Sequence, residues 1–133
     1  MDPITIPVHL LPLLRGTATC YLSTLMPDGS PQLTQVWVDT DGERVLVNSV
    51  QTHQRVCNVQ RDPRVALAVA DPARPGWYAE LRGRVVEVTT EGAREHIDAV
   101  SQRYLGGPYP GWGGPDQVRV LLTIEVDRVN ELG

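Results

Sequence analysis

The sequence predicts a mainly β chain, with about six short antiparallel strands in one curved sheet or barrel and two main helices beside it. Three observations carry this. Apolar and β-branched runs recur along the chain, each cut off by Pro, Gly or Asp. Only two stretches, 51–60 and 91–104, show the apolar spacing of a helix. Gly83 interrupts the longest strand-like run, which marks a bulge or bend of the kind a curled sheet needs.

Each element follows from its residues. The 133 residues suit one domain, read as 1–133 with residues 1–15 as an N-terminal arm or helix packed on the body. Thr17–Leu25 (TATCYLSTL) is β-rich, and Pro27-Asp28-Gly29-Ser30-Pro31 is a strong turn. Gln32–Val38 is a second strand, Asp39-Thr40-Asp41-Gly42 a second turn and Arg44–Asn48 a third strand, together an antiparallel meander. Gln51–Gln60 is a helix that Thr52 could cap, with Val56 and Val59 as its apolar stripe. Pro63 stops it. Arg64–Ala70 (RVALAVA) is nearly all apolar, as in a central strand. Trp77–Thr89 is the long strand that holds Gly83. In the helix Glu91–Tyr104, the residues Ala93, Ile97, Val100 and Tyr104 share one face. A Gly/Pro-rich loop over 105–115 leads to the last strand, Gln117–Val126.

Composition excludes several functions. No apolar run approaches the ~20 residues that span a bilayer, and the N-terminus lacks the basic region and cleavage site of a signal peptide, so a cytoplasmic protein with no membrane contact is expected. The net charge of −4 and the dispersed arginines argue against nucleic-acid binding. All twelve basic residues are Arg, which rules out Schiff-base chemistry on a lysine side chain. Cys20 and Cys57 are too few for a structural zinc site and are expected as buried free thiols, so no metal is predicted. Glu80, Glu87, Asp98 and Glu125 lie on different elements and read as solvated faces; His9, His53 and His96 are scattered, and His96 reads as surface. No nucleophile or nucleotide motif is present, and no catalytic side chain is assigned.

The stretch 45–65 carries the functional signal. The apolar run Val45-Leu46-Val47 ends at Asn48-Ser49, and a polar, basic segment follows: Gln51, Thr52, His53, Gln54, Arg55, then Asn58. A strand opening into a helix start lined with hydroxyls, amides and an Arg can hold a phosphate, because free N–H groups and a guanidinium both favour anions. Trp77, Tyr78, Tyr109 and Trp112 sit beside Gly and Pro rather than in core runs, which suits the wall of a planar-ligand pocket or a subunit interface.

The order of these motifs resembles a known superfamily. PDGSP, VWVDTDGERVLVNS, the T-x-x-x-R-x-x-N-V helix, RDPRVALAV and LRGRVVEV come in the order seen in the split β-barrel flavin and deazaflavin oxidoreductases, pyridoxamine 5′-phosphate oxidase and its relatives. The helix EGAREHIDAVSQRYLG and the short chain resemble the small branch that uses coenzyme F420, a deazaflavin. The resemblance covers roughly residues 15–130. It implies a split-barrel homodimer with cofactor in two interface grooves, and hydride transfer from F420 to a small-molecule substrate. An FMN-binding oxidase or reductase and a non-catalytic cofactor-binding or storage protein are the alternatives. By this resemblance the strand through Thr34, Gln35, Val36 and Trp37 passes beside the tricyclic ring. Asn48 and Ser49 lie near the cofactor tail, and Thr52, His53, Gln54 and Arg55 hold the phosphate. Trp77 and Tyr78 come from the neighbouring subunit, and Tyr109 and Trp112 face the substrate. Relatives commonly carry an Arg and a Lys in the phosphate segment; here those places read His53 or Gln54, and Arg55.

Overall fold

The computed structural model describes residues 2–133. A 3-10 turn over Val8–Leu10 runs into a short helix, α1 (Leu11–Leu14). Then come β1 (Thr19–Leu25), β2 (Pro31–Val36), β3 (Asp39–Thr40), β4 (Val45–Val50), α2 (Gln54–Arg61), β5 (Arg64–Ala70), β6 (Tyr78–Thr89), α3 (Ala93–Leu105) and β7 (Arg119–Leu132). The strands form one antiparallel sheet in the order β2-β1-β5-β6-β7-β4-β3. Among the described residues, no helix is long and apolar enough to cross a membrane.

The strand count is seven rather than six, and the extra strand lies in an expected turn. Asp41 accepts hydrogen bonds from the N–H groups of Glu43 and Arg44, and the Thr40 hydroxyl donates to the Arg44 carbonyl. These bonds make the turn tight enough that Asp39 and Thr40 are left to pair with Leu46 and Val45. The expected meander also breaks in two. β1 pairs with β2 and β3 with β4, but β2 and β3 are the opposite edges of the sheet. Only Trp37 and Val38 separate them, so the two edges lie no more than roughly 11 Å apart at this point. The sheet therefore curls into a half-barrel. Tyr104 pins the crossing: its hydroxyl accepts from the Val38 N–H at 3.3 Å and donates to the Ala18 carbonyl at 2.7 Å.

Alternation sets what the curl encloses. On β1 Cys20, Leu22 and Thr24 point inward, on β5 Val65, Leu67 and Val69, and on β6 Ala79, Leu81 and Val85. Leu122, Ile124 and Val126 of β7 meet Val45 and Val47 of β4 in the same core. Ile6, Leu10 and Leu14 of the N-terminal segment are buried against it, so that segment is part of the fold. β7 continues to Leu132, beyond the expected end at Val126, because β6 pairs with it along its whole length from Tyr78. The register between them shifts at Arg82/Gly83 and again at Val85/Glu87. Those bulges lie where Gly83 predicted a bend.

Two local expectations are corrected. The N-cap of α2 is His53, not Thr52, and no side chain caps it. Cys57 is exposed, because the buried face of α2 is formed by Val56, Asn58 and Val59, while Cys20 is buried on β1. Burial pushes the Cys20 thiol up to about 12, which keeps it protonated and inert.

Candidate functional site

A cavity of about 490 Å³ opens where the β2–β3 crossing, the end of β4, the start of α2 and the start of β7 converge. Each wall has a local cause. β4 runs into the sheet at Asn48 and Ser49, and the chain then turns at 51–53 into α2. The first turn of α2, with N–H groups that lack intrahelical partners, is set beside this corner. Register brings in a distant residue: Val50 of β4 lies opposite Arg119 of β7, so Arg119 stands beside the segment of His53 and Arg55.

The cavity is cationic and short of acids. Arg55, Arg119 and the imidazole of His53 line it, and among the described residues no carboxylate does. Partial burial, then the charges of Arg55 and Arg119, hold the His53 imidazole below its ordinary value. Burial and the neighbouring Arg119 likewise lower Arg55. Burial is the first cause for Arg119 as well, followed by an opposing upward influence of Tyr109 and a downward one from Arg94. Arg55 has no ion pair or hydrogen bond among the described residues, and no carboxylate pairs with Arg119. The two guanidinium charges gathered with no counter-charge raise the free energy of the protein, and an anion would relieve it. Ser49 adds a second sign. The residue is 1% exposed, it lines the cavity, and its hydroxyl has no partner among the described residues. A buried hydroxyl left unpaired costs about 1–3 kcal/mol unless something supplies the missing bond.

An aromatic wall completes the lining, with the Arg119 guanidinium 5.0 Å from the centre of the Tyr109 ring. Trp37 stacks on Tyr104, with centroids 5.0 Å apart and planes 8° from parallel. Tyr109 meets Trp37 edge-on at 6.3 Å, and Trp112 lies 6.2 Å from Trp37 and 5.7 Å from Tyr109. Trp112 is 56% exposed, so a flat apolar surface faces the opening. β2 is an edge strand, so alternate backbone groups along it have no neighbouring strand to pair with.

Of the residues singled out from sequence, Gln35, Val36, Trp37, Asn48, Ser49, His53, Arg55, Tyr109 and Trp112 line this cavity. The others lie elsewhere in the single chain. The Thr34 hydroxyl donates to the Leu22 carbonyl at 3.5 Å. Thr52 is exposed in the turn before α2. Gln54 donates to Asn58 at 2.8 Å. Trp77 borders a different cavity of about 310 Å³ against the N-terminal helix, with the Arg74 guanidinium 4.3 Å from its ring centre, and Tyr78 is exposed at the start of β6.

Asn58 of α2 is fully buried and does not line the cavity. Its amide donates to Thr24 at 3.0 Å and to Gln32 at 3.3 Å, which ties α2 to the β1–β2 hairpin. Asn58→Ala should therefore destabilise the fold by about 1–2 kcal/mol, since it strands buried polar groups. In urea melts the midpoint should fall, while anion affinity of the folded variant stays within about twofold. A tenfold loss of affinity would give Asn58 a direct role in the cavity.

Sequence reasoning missed Arg119, Tyr104 and the residues behind the cavity. His96, read as surface, has a side chain only 13% exposed, 2.9 Å from Asp39 and 3.1 Å from Asn48. Burial alone would raise the Asp39 carboxyl. The hydrogen bond from His96, the Thr40 N–H and the charge of Arg103 outweigh it and hold Asp39 below its ordinary value. The one available signal was Arg119 at the start of a strand, directly after a loop with two aromatics.

Comparison with known proteins agrees with this architecture. The chain is similar to a solved F420 reductase, 28% identical, with a TM-score of 0.81, covering 94% of this chain and 98% of that one. It is similar in fold to a conserved hypothetical protein from Mycobacterium tuberculosis, 24% identical, with a TM-score of 0.73, covering 98% and 86%. A candidate pyridoxamine 5′-phosphate oxidase from Listeria innocua shares the fold at 20% identity, with a TM-score of 0.70 and coverage of 93% and 95%. The family model described as pyridoxamine 5′-phosphate oxidase matches residues 7–133. With its half-barrel sheet and that match over nearly its whole length, the chain belongs to the pyridoxamine 5′-phosphate oxidase family.

Proposed function

We propose that this protein is an oxidoreductase that binds coenzyme F420 and passes a hydride to a small planar or unsaturated molecule. The observation that carries the reading is the cavity itself, which brings together two arginines without a carboxylate partner, the imidazole of His53 and a stacked aromatic wall. Such a site suits a ligand with an anionic tail and a flat ring. The likeness to an F420 reductase at 28% identity favours the deazaflavin over FMN.

The residues fit such a group. His53, Arg55 and the start of α2 would hold its phosphate, and the unpaired Ser49 hydroxyl would gain the bond it lacks. The free backbone edge of β2 at Gln35 and Val36, with Trp37 just beyond it, would bond the polar rim of the ring. Trp112 and Tyr109 would shield the substrate from water. Bound F420 supplies the hydride chemistry, and the chain supplies grip, orientation and solvent exclusion.

A homodimer completes the proposal. The outward face of the sheet carries exposed Tyr21 and Leu33 beside the small residues Ser23, Ala66 and Ala68, a flat patch that a second copy would cover. Trp77 and Tyr78, away from the cavity of their own chain, would then reach that of the partner. Sedimentation at micromolar concentration should give a particle of about 29 kDa, twice the 14.7 kDa chain; only single chains would contradict it.

The reading is tested by single-turnover oxidation of reduced F420 with an activated enone as acceptor, followed by absorbance. The purified protein from a host without F420 should be colourless, bind added F420 and oxidise the reduced form. A yellow protein with bound FMN, or binding without turnover, would overturn it. His53→Ala, Tyr78→Phe and Tyr109→Phe should change affinity more than the saturated hydride step. A general acid or base typically contributes about 10²–10⁴-fold, so a loss above about a thousandfold in that step would expose a dedicated proton donor.

A further inference from the structure

Behind the cavity a buried polar chain crosses four elements. Arg103 of α3 donates to Asp39 of β3 at 2.8 Å, and the other Asp39 oxygen lies 2.9 Å from Nε2 of His96. Nδ1 of His96 lies 3.1 Å from the amide nitrogen of Asn48 on β4. That nitrogen also donates to the Ala93 carbonyl at 2.7 Å, while the Asn48 amide oxygen accepts from Nε of Arg119 on β7 at 2.9 Å. The Arg119 guanidinium rests over the Tyr109 ring, 5.0 Å from its centre.

These contacts fix every orientation. The Ala93 carbonyl can only accept and the Arg119 Nε–H can only donate, so the Asn48 amide has its nitrogen towards Ala93 and its oxygen towards Arg119. The nitrogen facing His96 is thus a donor, and Nδ1 must accept. The imidazole proton then sits on Nε2, where the Asp39 carboxylate receives it. We infer that His96 is a positioning residue: through Nδ1 it locks the Asn48 amide, and the locked amide presents the Arg119 guanidinium to the cavity. That the cavity holds an anion rests on the function proposed above, but the effect on Arg119 belongs to the free protein and is read without ligand.

Two conservative variants separate this role from simple packing. An Asn side chain places its amide oxygen near the position of Nδ1, whereas a Gln side chain reaches the position of Nε2. His96→Asn should keep the acceptor for Asn48 and give up the bond to Asp39. His96→Gln should keep the bond to Asp39 and lose the acceptor. In ¹⁵N-resolved NMR of the free protein, the Arg119 Nε–H should give a separate, slowly exchanging signal, assigned by its loss in Arg119→Lys. The signal should persist in His96→Asn and vanish in His96→Gln. Persistence in both, loss in both, or the reverse order would overturn the inference, the last assigning His96 to holding α3 against β3. Should either variant fail to fold, the wild-type imidazole decides: at pH 8 its nitrogen shifts must show the proton on Nε2, and a proton on Nδ1 would refute the scheme. In F420 titrations His96→Gln should bind roughly tenfold more weakly and His96→Asn within about threefold of wild type. If wild type does not bind F420 at all, the proposed function fails, while the Arg119 signal still decides the role of His96.

Discussion

Arg55→Ala should weaken F420 binding by about 1.5–3 kcal/mol, roughly 10- to 150-fold, with no loss of fold stability. The two halves of this expectation have one origin. Arg55 makes no ion pair or hydrogen bond among the described residues, so its removal breaks no native contact of that kind. Burial and the nearby Arg119 already disfavour its charge. A guanidinium kept half-buried among like charges contributes little to folding and much to any anion placed against it. Arg55→Lys should recover only part of the loss, because a point charge replaces a fork of donors. Isothermal titration of each folded variant gives the affinity, and urea melts give the stability. Unchanged affinity would place the anion elsewhere, while a large drop in stability would make Arg55 a structural residue.

Gly83→Ala should destabilise the fold by about 3 kcal/mol. A Cβ at this position would stand 1.9 Å from the Glu125 carbonyl oxygen and 3.0 Å from the Val126 Cα, both backbone atoms of β7. No rotamer can relieve such a contact, so β6 and β7 would have to part at the bulge that bends the sheet. Because these two strands carry the longest pairing in the molecule, the effect should appear as a lower urea midpoint and not as local fraying. A variant as stable as wild type would mean that the bulge can slide along the strands.

The sequence revealed the parts of this molecule whose causes are local. Pro27–Pro31 gave the β1–β2 hairpin, the apolar spacing gave α2 and α3, and Gly83 gave the bend. The β2–β3 relation was hidden, because a short connection ordinarily joins paired strands. Here the two-residue link of Trp37 and Val38 bridges opposite sheet edges, and only closure of the whole sheet makes that possible. The site divides in the same way. Asn48, Ser49, His53 and Arg55 lie within eight residues of one another, so their joint chemistry could be read directly. Arg119 meets Asn48 across 71 positions through the β4–β7 register, and His96 meets Asp39 across 57. Seen along its own helix, with Glu95 and Asp98 beside it, His96 has the surroundings of a surface residue; α3 packed over the crossing makes it an interior one.

The most direct test of the central claim is a competitive titration of the ligand-free protein with F420 and with FMN at fixed, low salt, followed by the quenching of tryptophan fluorescence. Trp37 and Trp112 line the cavity, so a ring bound there must perturb them. F420 should saturate the signal at one equivalent per chain, bind more tightly than FMN, and lose affinity in Arg55→Ala. Tighter binding of FMN, or no saturable binding of F420 by the folded protein, would contradict the account.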